Sequence, residues 1–217
     1  MEFSLIDKIV LCVAKRGSGK SFLCRWLLKQ QRGHFAKVFC ISPTEKVNHH
    51  WTGIVDKTCI FDTYNDTWLH QLVQKMTDIN EGKTQKSPGF KRVCVILDDC
   101  VADTDFHHSA PSLRICVARG RHIGISVLLL SQSCKGVDPF FRSNSDFVLL
   151  QMLNTASLGI AAEEWSACGF SKKDFIALHK TCTNDYGFLV ISQNAGAHSD
   201  DPNLYYGVIR CPKDEFK

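Results

Sequence analysis

The sequence predicts an α/β fold in which a mostly parallel β-sheet is covered by helices on both faces. Apolar, strand-like runs alternate along most of the chain with segments of helical periodicity, as in sheets whose strands are joined by crossover helices. Two runs end in polar groups: a glycine-rich turn follows residues 5–13, and two aspartates close residues 92–99. The 217 residues suit one α/β domain, with a core at 5–150 and C-terminal helices and strands at 151–217.

Composition narrows the class of protein. Hydrophobic residues make up 44% of the chain, enough for a full core, and no apolar run has the length of a membrane-spanning helix. The formal net charge of +4 permits a polyanionic partner without demonstrating one. Eleven cysteines show neither zinc-ligand spacing nor a secretory signal before them, so we expect buried thiols in a reducing, intracellular compartment. Disulfide bonding is the alternative.

The segment at residues 14–21 reads Ala-Lys-Arg-Gly-Ser-Gly-Lys-Ser and lies between the first strand and helical periodicity at 20–31. Strand, glycine-rich turn, Lys-Ser and helix is the layout of a phosphate-binding loop, or P-loop. Glycines let backbone N–H groups turn toward phosphate oxygens, and the helix N-terminus adds partial positive charge. Lys20 is then expected at the β- and γ-phosphates of a nucleotide, and the Ser21 hydroxyl at Mg²⁺.

One position departs from the motif, since Ala14 stands where its first glycine belongs. Alanine fits there if its φ is negative. The alternative for the whole segment is a chance Gly-Ser-Gly turn beside a surface lysine. The candidate nucleotide-binding residues are Ala14, Lys15, Arg16, Gly17, Ser18, Gly19, Lys20 and Ser21.

The remaining elements follow in order along the chain. Further strands are predicted where short apolar runs stop at proline or polar residues, at 37–42, 59–61, 92–99, 125–132, 147–150, 187–192 and 204–209. The last two resemble a closing strand pair. Helices are predicted where apolar side chains recur at helical spacing, at 20–31, 66–81, 110–119, 138–143 and 155–181, the last broken near Gly169. Residues 44–58 have no clear period and are expected to form a loop with a short helix.

Two carboxylates at the end of a buried strand form a second chemical signal. In nucleotide-hydrolysing cores such a strand end serves Mg²⁺, so Asp98 is expected to hold the metal through water, opposite Ser21. Asp99 would accept a proton from the attacking water or orient it. The alternative is a strand end capped by two solvated acids.

Three more polar residues flank the next strand. Gln132 follows its carboxyl end, so it should lie beside Asp98 near the γ-phosphate. Arg119 and Arg121 precede its amino end, away from their own nucleotide, where they would reach a neighbouring subunit as arginine fingers. Arg142 is a weaker candidate for that role. The alternatives are a polar residue leaving a strand and an exposed basic turn.

Four segments together, AKRGSGKS, VCVILDDC, ARGRHIGISVLLLSQ and FFRSNSDFVLLQ, resemble the FtsK–HerA superfamily of ring-forming ATPases. Within it, the resemblance is to the poxvirus-type genome-packaging ATPases of large cytoplasmic DNA viruses, and it covers residues 5–150. It implies a RecA-like P-loop NTPase core. The family's roles fall on Lys20 and Ser21 in the loop, Asp98 and Asp99 as metal and catalytic acids, Gln132 as sensor, and Arg121 or Arg119 as the trans arginine. The departures are Ala14 and Asp99, where many relatives carry glutamate.

The resemblance also implies partners. It points to ATP and Mg²⁺ as cofactors, to a homo-oligomeric ring, usually a hexamer, and to double-stranded DNA bound independently of sequence. The DNA would be threaded into a capsid with a capsid or portal protein, in the host cytoplasm (the viral factory) and the virion. Lys83, Lys86, Lys91 and Arg92 flank a loop that could contact phosphates in a pore, although a solvated basic loop is the better interpretation of these residues.

Two other functions fit the same core. A nucleoside or nucleotide kinase shares the P-loop, although no arginine-rich lid is evident here. A non-hydrolysing, ATP-regulated scaffold of capsid assembly would need only the binding residues. His107 and His108 lack a third partner at useful spacing and are not expected to bind metal.

Overall fold

The computed structural model describes residues 3–100, 110–167, 170–194 and 201–212. They contain an eight-stranded sheet in the order β3-β2-β4-β5-β1-β6-β7-β8. The strands are β1 Ile9–Val13, β2 Lys37–Ile41, β3 Ile60–Phe61, β4 Val93–Asp98, β5 Ile125–Ser131, β6 Phe147–Leu150, β7 Phe188–Ser192 and β8 Tyr206–Ile209. Every pair from β3 across to β6 is parallel, whereas β7 and β8 are antiparallel additions at one edge. The predicted mostly parallel sheet is confirmed.

Helices connect these strands and cover both faces of the sheet. They are α1 Lys20–Gln31, α2 Glu45–Asn48, α3 Asp66–Ile79, α4 Pro111–Ile123, α5 Pro139–Ser143, α6 Thr155–Glu164, α7 Lys172–Cys182 and α8 Pro202–Tyr205, with 3-10 turns at Arg32–His34 and Lys57–Cys59. The predicted helical periods and the aperiodic segment 44–58 are confirmed. Gly169, His107 and His108 lie outside the described residues.

Alternation along β1 shows how one strand supports two cores. Val10 and Cys12 belong to a buried cluster with the apolar side of α1, whereas Leu11 and Val13 belong to a second cluster beneath α3, α4, α6 and α7. All five residues of β1 are buried, which is why the strand reads as continuously apolar. The P-loop that follows therefore starts from the centre of the sheet.

Side-chain caps fix the start of several helices. Asn65 accepts a hydrogen bond from the N–H of Trp68 at the start of α3, and Asn154 does the same for α6. Ser171 and Asp174 form a reciprocal capping box at α7. Such caps satisfy N–H groups that a helix leaves unpaired, so the local sequence alone sets these boundaries.

Two strands begin at least two residues later than predicted. β1 begins at Ile9 rather than at residue 5, because the chain turns at Asp7, which has a left-handed φ of 56° and donates its N–H to Ser126 Oγ at 2.9 Å. β8 begins at Tyr206, because the two residues before it end α8.

Helix α4 is longer than predicted. Periodicity predicts a helix over residues 110–119 with a Gly-Arg-His turn after it, yet α4 continues to Ile123. Gly120 lies inside the helix and lets it approach β5, because a Cβ there would be 2.4 Å from the carbonyl oxygen of Ile125. Gly124, with a φ of 77°, ends the helix. The glycine that suggests a turn is a packing residue.

None of the described cysteines forms a disulfide, and all except Cys211 are buried. Burial raises the pKa of Cys94 and of Cys116 to about 12, so these thiols behave as small apolar side chains. Among the helices of the described residues, none combines the length and the apolar character that crossing a membrane requires.

Substituting Gly120 tests the contact between α4 and β5. We expect Gly120→Ala to lower the free energy of unfolding by about 1–3 kcal/mol, because the added Cβ overlaps backbone. Gly159→Ala in α6 is the matched control, since a Cβ there meets nothing within 4 Å, and it should stabilise by about 0.5–1 kcal/mol. Urea unfolding measures both. A Gly120→Ala protein as stable as the control would contradict the packing described.

Candidate active site

Two glycines shape the loop between β1 and α1. Gly17 and Gly19 have φ values of 75° and 88°, a region that side chains with a Cβ rarely adopt. The Ser18 hydroxyl donates to the Lys15 carbonyl at 2.5 Å, and the Lys15 N–H donates to the Met152 carbonyl at 3.0 Å. The loop therefore curls directly before the N-terminus of a twelve-residue helix, a place that favours anions.

Ala14 fits the loop despite replacing glycine. It is not among the described residues with positive φ, and it is fully buried. Its N–H donates to the Ser131 carbonyl at 3.1 Å, which ties the start of the loop to β5. Alanine can therefore replace the motif's glycine here, as expected for a residue whose φ is not positive.

Lys20, Asp99 and Gln132 meet at the carboxyl edge of the sheet. Lys20 is only 5% exposed, and its Nζ lies 2.5 Å from Asp99 Oδ1. Gln132 Nε2 donates to Asp99 Oδ2 at 2.9 Å, so both carboxylate oxygens are held. Asp99 has a left-handed φ of 55°, a strained conformation of the kind that clusters at functional sites. The sequence placed Gln132 beside Asp98, and in the structure its amide bonds the adjacent Asp99.

Asp98 has a different environment from its neighbour. It is 2% exposed, and its Oδ2 accepts hydrogen bonds from Trp51 Nε1 at 2.8 Å and from Ser21 Oγ at 3.5 Å. Its Oδ1 is buried and finds no hydrogen-bond partner among the described residues. Burial raises the pKa of Asp98, while the Trp51 hydrogen bond and the Lys20 charge act in the opposite direction.

This arrangement fits a hydrated Mg²⁺. An unpartnered buried carboxylate oxygen costs free energy that a cation or its water would recover, and Ser21 supplies a hydroxyl on the same side. Within the described ranges no three His, Cys, Asp or Glu side chains converge, so Mg²⁺ here would take its other ligands from water and phosphate, as it commonly does.

Trp51 and Glu45 hold Asp98 in the candidate site, and sequence reasoning missed both. Trp51 is fully buried, and its backbone N–H donates to Glu45 Oε2 at 2.9 Å. Glu45, also buried, accepts further hydrogen bonds from the N–H and hydroxyl of Thr52, both at 2.8 Å. One buried carboxylate thus fixes the tryptophan that fixes Asp98. Both residues lie in segment 44–58, where the sequence has no hydrophobic period or motif that would have indicated them.

Arg119 and Arg121 lie far from this cluster. Both are exposed near the C-terminal end of α4, and Arg121 lines a cavity of about 270 Å³ with Asp7 and Asp146, which precede β1 and β6. They therefore sit at the amino edge of the sheet, opposite Lys20, as the topology predicted. They lie on a helix rather than in the expected turn.

The weaker candidate for an arginine finger has a structural role. Arg142 is buried and pairs with Glu164 at 2.6 Å, and it also donates to the carbonyls of Cys134 and Val137. Its guanidinium is enclosed by its own chain, so the suggestion that it acts as an arginine finger is wrong.

In the predicted basic loop, Arg92 does not face solvent freely. It forms a two-pronged pair with Asp7 and stacks on Phe90. The Lys83 ammonium donates to the Ile79 carbonyl. Lys86 and Lys91 are exposed at the same loop.

Comparison with known proteins identifies the family. The protein-family model described as "Poxvirus A32 protein" matches residues 5–168. The chain belongs to this family. The resemblance to the poxvirus-type packaging ATPases is thereby confirmed. An uncharacterized protein of Acanthamoeba polyphaga mimivirus is 27% identical over 161 residues, 69% of this chain and 55% of that protein. One from Frog virus 3 (isolate Goorha) is 25% identical, covering 91% of this chain and 60% of its own length. This member of the A32 family spans little more than half of such relatives.

Solved structures share the fold. The genome packaging NTPase B204 from Sulfolobus turreted icosahedral virus 2, in complex with ATP-gammaS, has a TM-score of 0.65 at 16% identity, covering 94% of this chain and 97% of that chain. The conjugation coupling protein TcpA of pCW3 has a TM-score of 0.58 at 15% identity, covering 93% and 63%. The predicted P-loop NTPase fold with a mostly parallel, RecA-like sheet is confirmed.

A double-mutant cycle tests the contact between Trp51 and Asp98. Trp51→Phe should lower the free energy of unfolding by about 1.5–3 kcal/mol beyond the loss of ring volume, because it removes a hydrogen bond to a buried carboxylate. In an Asp98→Asn background the same substitution should cost less. Urea unfolding in metal-free buffer measures all four proteins.

The pH dependence provides a second readout. Losing the indole donor moves the pKa of Asp98 further above its ordinary value, since burial already raises it. The cost of Trp51→Phe is therefore full at pH values above the raised pKa, where the carboxylate is charged, and it is lost as the pH falls through that pKa and the carboxyl is protonated. Equal costs in both backgrounds at every pH would show that the hydrogen bond contributes nothing.

Proposed function

We propose that this chain is an ATP-hydrolysing motor that moves double-stranded DNA into a viral capsid. The observation that carries the proposal is the meeting of Lys20, Asp99 and Gln132 beside a glycine-shaped loop, with Asp98 and Ser21 alongside. Membership of the A32 family supports it, and so does the fold shared with the genome packaging NTPase B204.

The ion pair between Lys20 and Asp99 suggests how binding and hydrolysis are coupled. Lys20 Nζ cannot stay 2.5 Å from Asp99 Oδ1 and also approach the β- and γ-phosphates of ATP. An arriving triphosphate therefore competes for the ammonium and releases Asp99 Oδ1. Gln132 still holds Oδ2, so the freed oxygen is oriented to take a proton from the attacking water. The base becomes available only after nucleotide has bound.

Asp98 and Ser21 would hold Mg²⁺ at this site. Bound there, the ion would neutralise charge on the phosphate oxygens. The role of the chain is to keep the buried Asp98 carboxylate fixed through the hydrogen bond from Trp51.

The positions of the arginines support a head-to-tail ring. In such a ring the amino edge of one subunit faces the carboxyl edge of the next, and a closed cyclic arrangement repeats that contact. Arg121 or Arg119, exposed at the amino edge, would then reach the neighbour's phosphates and stabilise charge during transfer. We propose a hexamer by analogy with ring ATPases of the superfamily.

The proposed partners follow from the same account. DNA would be bound through its phosphates, without reading bases, by exposed lysines such as Lys86 and Lys91. A capsid or portal protein would receive it. We place the motor in the cytoplasmic viral factory and the virion of a large DNA virus, the group from which its relatives come.

Substituting the two partners of the ion pair tests the chemistry. Lys20→Ala should remove ATP binding and hydrolysis, whereas Asp99→Asn should retain binding and lose about 10²–10⁴-fold in the rate of phosphate release, the usual contribution of a general base. Lys173→Ala, an exposed cation on α7, is the control and should leave both unchanged. Phosphate release at full activity by Asp99→Asn would exclude the proposed base.

Phosphorylation of added nucleosides by a monomer would instead indicate a kinase, and ATP binding without any phosphate release would indicate a scaffold.

Mixing subunits tests the arginines. Arg121→Ala subunits mixed with Lys20→Ala subunits should recover ATPase activity that neither variant has alone, because a Lys20→Ala subunit still supplies Arg121 to the intact site of its neighbour. Arg119→Ala mixed with Lys20→Ala in the same way decides which arginine acts, and Lys173→Ala mixed with Lys20→Ala gives the rate expected from dilution. No recovered activity with either arginine variant would contradict action in trans.

A further inference from the structure

A second cavity, of about 310 Å³, lies beside the P-loop. One wall is formed by Arg16 and Ser18 of the loop, another by Met152 after β6, and a third by the turn at residues 183–186 between α7 and β7. We propose that this cavity binds the base of the nucleoside triphosphate, with Tyr186 stacked on a purine ring and Met152 opposite. The inference rests on the proposed function and names a part of its site that no motif indicates.

The order of the strands supports this placement. The strand order β4-β5-β1-β6-β7 puts Asp99 and Gln132, after β4 and β5, on one side of the P-loop, which follows β1. Met152 follows the end of β6, and Tyr186 precedes the start of the antiparallel strand β7, so both lie on the other side of the P-loop. A triphosphate whose γ-phosphate points toward Asp99 runs along the loop and leads its nucleoside into the cavity.

The conformation of the turn is unusual. Asp185 and Tyr186 are consecutive non-glycine residues in the left-handed region, with φ values of 50° and 55°. Gly187 after them is closely enclosed, since a Cβ there would be 2.2 Å from the carbonyl oxygen of Cys182. Strain of this kind persists where the surroundings enforce it and is concentrated at ligand sites. Here its effect is to hold an aromatic ring over the cavity.

The ring of Tyr186 is both exposed and close to the loop. The residue is 65% exposed, although large aromatic side chains usually gain from burial. Its Cδ1 atom lies 3.7 Å from the position of a Cβ built on Gly19, so the ring stands at the edge of the phosphate site.

Met152 completes an apolar pair. It is 54% exposed, and its thioether adapts to flat aromatic partners. A base between Met152 and Tyr186 would cover both side chains, and purines offer the larger ring. The volume of the cavity is at the lower end of the range of small-molecule pockets, consistent with a base rather than a larger ligand.

Calorimetric binding of ATP and of inorganic tripolyphosphate separates the base from the phosphates. Tyr186→Ala should weaken ATP binding about 5- to 100-fold, the loss expected for one stacked base, and leave tripolyphosphate binding unchanged. Tyr186→Phe should retain the affinity for ATP, because the ring remains. Leu204→Ala removes a similarly exposed apolar side chain at the opposite edge of the sheet and is the control. Wild-type protein should prefer ATP and GTP to CTP, and Tyr186→Ala should lose that preference.

Two results would overturn the base site. If Tyr186→Ala weakens ATP and tripolyphosphate equally, the ring only supports the loop. If it changes neither, no base stacks there. In both cases loss of ATP binding by Lys20→Ala would leave the proposed function standing. Wild-type protein that binds neither ligand, or Lys20→Ala protein that binds ATP normally, would refute the proposed function itself.

Discussion

The ion pair between Lys20 and Asp99 joins two parts of the chain that the sheet brings together from a distance. Lys20 follows β1 and Asp99 follows β4, and these strands are not adjacent, because β5 lies between them. The parallel register sets Val13 beside Ser131 and Leu130 beside Asp98, so three strand ends finish at one level. A buried lysine needs a counter-charge. This register supplies Asp99 as the counter-charge and places the amide of Gln132 beside it.

A second set of contacts holds Asp98, and it consists of hydrogen bonds between buried groups rather than of an ion pair. Glu45 fixes Trp51, and Trp51 donates to the carboxylate. The two acids at the end of β4 are therefore distinguished by environment: Asp98 is enclosed beside a hydroxyl, whereas Asp99 is turned by its left-handed backbone toward Lys20. Different surroundings can assign different roles to adjacent carboxylates. On that basis we propose metal binding for Asp98 and proton transfer for Asp99.

Much of the fold could be predicted from the sequence, because its signals are local. Each of these signals is contained in a short stretch of neighbouring residues, as in the apolar run of β1, the helical period of α1 and the polar ends of β4 and β5. What the sequence did not reveal depends on distant contacts. Trp51 meets Asp98 across 47 positions, Gly120 is explained only by β5 packed against it, and Arg142 is enclosed by Glu164 from another helix. Tyr186 is conspicuous only through its backbone conformation and its place beside the loop.

We propose that ATP hydrolysis belongs to an assembled ring acting on DNA. The decisive measurement is the ATPase rate per subunit across protein concentrations, with and without double-stranded DNA. A motor that works as a ring should show a rate that rises with concentration to a plateau. It should also show a further increase with DNA of any sequence, which weakens as salt is added. A rate per subunit that is constant over the whole range and indifferent to DNA would contradict the proposal.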